Sequence, residues 1–550
     1  MSASRRPAAL LLAAALVLSS SSGCSDSAPS EVQDMPSTAV ETYLPFASLQ
    51  ETKEKPPVYE QPSRVFYEIF VRSFYDSNGD GIGDLQGVAA KLDYLQELGI
   101  EGLWLTPIHP SSSYHGYDVT DYYDVSPELG TLEDFRYLSA EARKRGIQLI
   151  LDLVVNHTSS SHPWFIDSSS GPDSKYRSWY NWSEDPNRNA HVLSATGSGN
   201  AWHLSGGARY VGTFWEGMPD LNFDNPAVRE EMIRVGNFWL KQGADGFRLD
   251  AAKHVYEDFQ SSKGSKETAA SNQNWWQEFR RGLNEADPDV FLVGEVWDSE
   301  AVIAPYLNQA FQSAFNFTLN TTLRSAVHAE KAPDLGAMLS RQYEIFRKES
   351  GGRFVDASFI GNHDADRLMS VLRGSGEHAR MAAALLLTLP GHPFLYYGDE
   401  IGMKGSGADE NKREPMLWHA AGKGEGQTTW KPARSNSGAD APSVEAQLKD
   451  PNSLLNRYKQ LIDWRKREPA LRDGDIAPFA AEDPGLSAFI RRTAEREVLV
   501  VHNLTSKPLE LDVRKREPER FGRILLSTEG STRIEAGILS IPAYSSVVLQ

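Results

Sequence analysis

The chain has 550 residues, 40% hydrophobic and 24% charged, with a formal net charge of −18. That length can bury a large core divided among about two to four domains. The acidic balance argues against a nucleic-acid phosphate partner, which needs a basic footprint, and a single cysteine rules out an intramolecular disulfide. At the N-terminus, Arg5 and Arg6 precede an apolar run, Ala8 to Leu18, too short to span a membrane as a mature helix. Residues 1–23 therefore read as an export signal. Residues 24–60, rich in Ser, Pro, Glu and Lys, read as a flexible tether.

The lone Cys24 follows Ser21-Ser22-Gly23 in a way that resembles a bacterial lipobox. That resemblance implies lipidation of the Cys24 thiol and anchoring at the cell envelope. Ser21 stands where such motifs usually have Leu, so ordinary signal cleavage is the alternative. Ser25 is not the Asp that typically holds lipoproteins at the inner membrane, which favours the outer membrane.

From Val65 onward, short apolar strand candidates alternate with amphipathic helix candidates. The strands are expected at 65–74, 102–108, 148–155, 246–250, 290–296, 313–319, 355–361 and 394–400. Helices are expected at 88–100, 132–146 and 228–243, among others, and Gly99 supplies a stop signal for the first. Eight strands with intervening helices predict an α/β fold, a closed (β/α)8 TIM barrel spanning 61–157 and 221–472. The alternation breaks at 158–220, a segment too long for an ordinary loop, which reads as an inserted excursion domain with a partly disordered lid as the alternative. Residues 473–550 turn to short alternating strands and predict a terminal all-β domain.

Three acids close three of these strands: Asp250 in GFRLDAAKH, Glu295 in VFLVGEVW and Asp364 in ASFIGNHD. A parallel barrel gathers its strand ends around one mouth, so the three can meet. Carboxylates meeting in one pocket suit glycoside chemistry. Arg248 lies two residues before Asp250, so both side chains of an extended strand face the same side, and its fixed charge would keep Asp250 ionised. A separate signal is the run Asp76, Asn78, Asp80, Ile82, Asp84, with glycines between. Oxygen donors at alternate positions suit a hard cation such as Ca²⁺, although Gly87 stands where an EF-hand needs its closing Glu.

DLVVNH (152–157), GFRLDAAKH (246–254), GEVW (294–297) and FIGNHD (359–364) resemble the four signature regions of the α-amylase family of glycoside hydrolases, in order. MPDLN (218–222) resembles that family's additional motif. The resemblance implies that Asp250 is the nucleophile, Glu295 the general acid, and Asp364 the carboxylate that grips the sugar. It implies retention, with the Asp250 and Glu295 carboxyl groups about 5–5.5 Å apart. His157 and His363 would hydrogen-bond the sugar at the cleavage subsite, and Tyr117 would form its stacking platform with His115 close by. Lys253 and His254 would contact the leaving-group side, and Asp118 with Arg413 resembles a pair that grips a terminal sugar. The Asp-rich run resembles a calcium loop with Asp76, Asn78, Asp80, Asp84 and the Ile82 carbonyl as ligands. A second calcium beside Asn156 is the further expectation.

Within the family, Ala251 and Lys253-His254 point to α-1,4 cleavage of long chains, whereas Asp118 with Arg413 points to exo-acting enzymes on short ones. MPDLN looks intermediate between the amylase and oligo-1,6-glucosidase groups. The reading is an α-amylase acting on an α-glucan or maltooligosaccharide. The alternatives are an exo-acting α-glucosidase, a cyclomaltodextrinase or a transglycosylase. A catalytically dead glycan-binding protein is disfavoured because all three acids are intact.

Overall fold

The computed structural model describes residues 63–550 apart from 186–191, 197–198, 257–265, 439 and 516–519. The leader, the tether and Cys24 lie outside the described residues.

Eight parallel strands form the central sheet: β1 Phe66–Ile69, β2 Gly102–Leu105, β3 Gln148–Leu153, β4 Gly246–Leu249, β5 Phe291–Gly294, β6 Ser313–Ala314, β7 Ala357–Phe359 and β8 His392–Tyr396. Neighbours pair in chain order from β1 to β6, and β7 pairs with β8, which returns to β1. The ring is completed between β6 and β7 by one parallel bridge, Phe315 to Ala357, with the Asn316 amide donating to the Ala357 carbonyl (3.0 Å). Nearly every strand residue is buried, as expected where helices cover the outside and side chains fill the inside.

The period-two alternation of a strand sorts the inward-facing residues of the barrel into layers. Phe66, Trp104, Ile150, Phe291, Phe315, Phe359 and Phe394 pack together in the interior. Phe66 stacks on Phe394 (centroids 4.6 Å apart) and on Phe291 (5.4 Å). Two residues further along the same faces come Glu68, Asp152 and Gly361, and four further on come Glu295 and His363. An aromatic floor thus lies under a polar mouth.

Local signals set the helices. Thr131 and Asp134 form a reciprocal capping box at the start of Leu132–Lys144. Asn225 caps Pro226–Gln242, which ends at left-handed Gly243 (φ 116°). The helix expected over 88–100 is instead two pieces, Leu85–Ala90 and Leu92–Leu98, the second ending at left-handed Gly99 as expected. Asp84 starts the first piece by accepting the Gly87 amide. Two strand expectations overran. The 65–74 strand stops at Ile69 and gives way to a helical turn, Val71–Phe74. The 313–319 strand stops at Ala314, because the Asn316 side chain accepts the Leu319 amide and caps a helix over Phe317–Ala329.

After β3 the chain leaves the barrel. It builds a helix, Pro163–Ser168, and a three-stranded antiparallel sheet of Trp182–Ser183, Ala208–Val211 and Trp202–Ser205. Bridges from His157 to Asp220 and from Tyr180 to Leu221 close the neck of this excursion. The C-terminal region has a five-stranded antiparallel sheet and a three-stranded one around their own apolar core. Buried Arg491 ties it to the barrel by donating to the carbonyls of Thr388 and Gly474. Among the described residues no helix is long and apolar enough to cross a membrane.

Candidate active site

Arg248, near the end of β4 and 1% exposed, organises the mouth. Its Nη1 lies 2.8 Å from Asp152 Oδ1 and 2.6 Å from Asp250 Oδ1, and its Nη2 lies 2.9 Å from Glu295 Oε2. One planar guanidinium therefore bridges the acids that end β4 and follow β5, and anchors a third from β3. The chain turns sharply just after Asp250: Ala251 has a φ of 46°, an uncommon left-handed conformation for a residue with a Cβ. That turn aims the Ala251 amide at Glu295 Oε2 (3.1 Å), so the segment carrying one acid also orients the other.

Asp364 is held from the opposite side. His363 Nε2 lies 3.1 Å from its Oδ2 and Arg413 Nη2 donates to its Oδ1 (2.9 Å). Lys412 Nζ donates to its main-chain carbonyl (2.7 Å). Its side chain remains 36% exposed, open to the cleft.

The electrostatics separate these acids. Burial raises the pKa of Asp250 and of Glu295, and Arg248 counteracts the rise in both. Burial also lifts Asp152 to about 7 against the pull of Arg248. For Asp364 burial acts upward too, but His363, Arg413 and Arg248 overcome it and hold this carboxyl well below the usual range. Three buried carboxylates share one guanidinium, so the group as a whole retains a proton at higher pH than isolated acids would.

The remaining expected residues fall around this cluster. Tyr117 donates to Asp152 Oδ2 (2.8 Å) and stacks on His363, with rings 5.4 Å apart and 12° from parallel. His157 Nε2 lies 3.1 Å from the Tyr117 carbonyl, and burial lowers its pKa to about 4. Lys253 donates to the Trp297 carbonyl (2.6 Å) and Asp298 (3.0 Å), and His254 meets the Phe214 ring edge-on at 5.7 Å. Asp118 is buried and accepts from the hydroxyls of Ser111 (2.6 Å) and Ser113, with His115 at 3.9 Å, whereas Arg413 reaches Asp364 and Tyr114.

Residues 76–84 form a tight loop through left-handed Gly79 and Gly81. Asp76 accepts the amides of Gly79 (2.7 Å) and Gly81 (2.8 Å), and Asp84 accepts those of Ser77 (2.9 Å) and Gly87 (2.7 Å). Asn78 accepts the Asp80 amide and Asp80 the Ile82 amide. Among the described residues no trio of His, Cys, Asp or Glu converges into a metal cluster. The donors are nonetheless hard oxygens: Asp76 Oδ1 and Asp84 Oδ1 each accept two hydrogen bonds, but Asp76 Oδ2 and Asp84 Oδ2 accept one amide each and keep a second lone pair for a hard cation. Asn156 Oδ1 is buried without a hydrogen-bond partner, and Asp220 Oδ1 lies 3.4 Å from its Nδ2.

Sequence reasoning missed several groups. Asp152 opens a quoted motif yet received no role, and Glu68 is a charged residue inside an apolar strand, a signal that was there to use. Trp297, 56% exposed and stacked on Phe317 at 4.6 Å, stands two residues past Glu295.

Residues 68–474 match the family described as alpha amylase, catalytic domain, and residues 486–548 match the alpha-amylase SusG C-terminal domain. The chain is 45% identical over 450 residues to alpha-amylase 3 of Dictyoglomus thermophilum, covering 81% of this chain and 86% of the relative. It is 33% identical over 511 residues to the oligo-1,6-glucosidase of Parageobacillus thermoglucosidasius, covering 80% and 90%. The crystal structure of the alpha-amylase from H. orenii superposes with a TM-score of 0.81 at 41% identity, covering 89% of this chain and 99% of that one. The protein belongs to the α-amylase family of glycoside hydrolases.

Proposed function

We propose that the enzyme is a retaining α-amylase that cleaves α-1,4-glucosidic bonds in starch, maltodextrins and maltooligosaccharides. Asp250 is the nucleophile: its carboxylate oxygen bonds to the anomeric carbon as the bond to the leaving oxygen breaks. Glu295 gives that oxygen its proton. Water then donates a proton to Glu295 while its oxygen attacks the same carbon and releases Asp250. Two inversions return the original anomeric configuration. The observation that carries this reading is the bridge from Arg248 to Asp250 and Glu295, which keeps the two carboxyl groups within the span of one guanidinium. Burial and the charges of Asp250 and Asp364 raise the pKa of Glu295, which supports its role as the proton carrier. Asp364, kept ionised by His363 and Arg413, takes the hydroxyls of the reacting sugar and opposes its developing positive charge.

The chain is proposed to belong to the group intermediate between α-amylases and oligo-1,6-glucosidases, in keeping with MPDLN and with relatives of both kinds. A second reading, exo action on short chains, draws support from Arg413, which with Tyr114 crowds the flank beside Asp364. Product analysis on starch, maltotriose, isomaltose and cyclodextrin decides. Mixed oligosaccharides from starch are expected; glucose from maltotriose with little action on starch would favour the exo enzyme. Asp250→Asn is expected to bind glycan while losing turnover by orders of magnitude, and unchanged turnover would remove the nucleophile assignment.

Calcium is proposed in the 76–84 loop, held by Asp76, Asn78, Asp80, Asp84 and the Ile82 carbonyl, with a second ion beside Asn156. The hard-oxygen donor set and the unpartnered Asn156 oxygen support these assignments. Export and lipidation at Cys24 are proposed from the basic start, the short apolar run and the small residues before the thiol. Labelling with a radioactive fatty acid, lost in Cys24→Ser, tests that anchor.

A further inference from the structure

We infer that Glu68, on β1, is a positioning residue for the reaction: its carboxylate holds His363 in the form that donates from both ring nitrogens, from Nδ1 to Glu68 itself and from Nε2 toward Asp364. Glu68 is 1% exposed and cannot itself touch a substrate. Its Oε1 lies 2.5 Å from His363 Nδ1 and also accepts the His363 amide (3.2 Å). The other ring nitrogen, Nε2, faces Asp364 Oδ2 at 3.1 Å and the Tyr117 hydroxyl at 2.6 Å. Tyr117 spends its proton on Asp152, so it meets His363 as an acceptor.

Both ring nitrogens therefore face acceptors, and either neutral tautomer would set a lone pair against a carboxylate. Only the imidazolium satisfies the arrangement. The groups facing the ring come from several elements. Glu68 approaches from β1, Tyr117 from the loop after β2 and Asp364 from the adjoining position. The charges of Asp152 and Asp250 act on it through space. Trp104 meets it edge-on at 5.6 Å, and Arg413 Nε donates to its carbonyl (3.1 Å). Burial disfavours the charged ring, yet Asp364 and Glu68 raise its pKa to about 10. Of these two, only Glu68 is free of any contact with the sugar. Its register places it there: two residues after Phe66 on the same inward face, paired across the ladders with Trp104 and Tyr396.

This inference rests on the reading of Asp364 and His363 as the sugar-gripping pair, and its test separates the two. Glu68→Gln keeps the shape and the acceptor but removes the charge. Nitrogen-15 spectra of the histidine rings, with the His363 signal assigned by its loss in His363→Gln, are expected to show a charged ring at about pH 8 in the parent enzyme. In Glu68→Gln that ring should lose its proton between about pH 6 and 9. Turnover of maltooligosaccharide should fall about tenfold or more at pH 8, with KM little changed, and the gap should narrow as pH falls. Glu68→Asp, which keeps the charge, should retain the parent pH profile. A neutral His363 in the parent at pH 8, or a Glu68→Gln profile parallel to the parent at every pH, overturns the inference. If Glu68→Gln does not fold, the parent spectrum and Glu68→Asp still decide it. Turnover and KM unchanged in Asp364→Asn would instead sink the reading beneath, a result that leaves the ring spectrum of the parent enzyme as it stands.

Discussion

The guanidinium of Arg248 reaches from β4 toward the end of β5, its Nη2 lying 2.9 Å from Glu295 Oε2 while its Nη1 serves Asp250 and Asp152. A single cation thus answers for three acids, and its loss is felt by all of them. Arg248→Met should destabilise the fold by about 3–5 kcal/mol, the usual cost of stranding a buried ionic partner. The stranded carboxylates escape the penalty by taking protons, so the deficit should be larger at about pH 8 than at about pH 5. Urea unfolding at the two pH values checks this, and an equal deficit at both would contradict it.

His363 links stability to pH in the opposite sense. Its folded pKa, raised to about 10, lies above the ordinary value of about 6.5. The stabilisation it contributes is fully present below about 6.5 and is lost as pH rises toward 10. Melting curves of the parent and of His363→Gln should therefore converge across that alkaline window. A gap that stays constant from neutral to alkaline pH would show that the ring is not charged in the fold.

The proposed calcium in the 76–84 loop predicts that a chelator lowers the melting temperature. An ion present at a hundred times its dissociation constant stabilises by about 2.7 kcal/mol, which for a chain of this size amounts to several degrees. Elemental analysis should count one equivalent lost in Asp76→Ala and another in Asn156→Ala. A chain that carries no metal and melts unchanged in chelator ends both assignments.

Trp297 lies flat on Phe317 with its outer face open beside Glu295. That face suits a sugar on the leaving-group side. Trp297→Ala should raise KM for longer maltooligosaccharides several-fold while changing maltotriose less, with melting almost unaffected. Steady-state kinetics on a chain-length series reads the difference.

Much of this was legible from residue order. The barrel announced itself through eight apolar runs, and the acids through their places at strand ends. What escaped were features set by local competition. Asn316 captures the Leu319 amide and converts an apolar, strand-like stretch into a helix, an outcome the apolar pattern of FNFTL could not predict. Glu68 and Asp152 escaped because their roles depend on partners in distant segments, His363 and Arg248, that only closure of the ring brings near. The left-handed turn at Ala251 escaped because neither Gly nor Asn marks it.

The join between β6 and β7 has a mechanical consequence. The ring is laced most thinly around the two-residue β6, which pairs with β5 over two residues and reaches β7 through one bridge and the hydrogen bonds from the Val355 amide to the Gln312 carbonyl and from the Asn316 amide to the Ala357 carbonyl. Elastic deformation of a hoop gathers at its thinnest section. This one falls between the strand that delivers Glu295 and the strand that leads to Asp364, whereas Asp250 and Glu295 follow two strands that pair directly over four residues, so the ring holds the spacing of the first pair less firmly than that of the second.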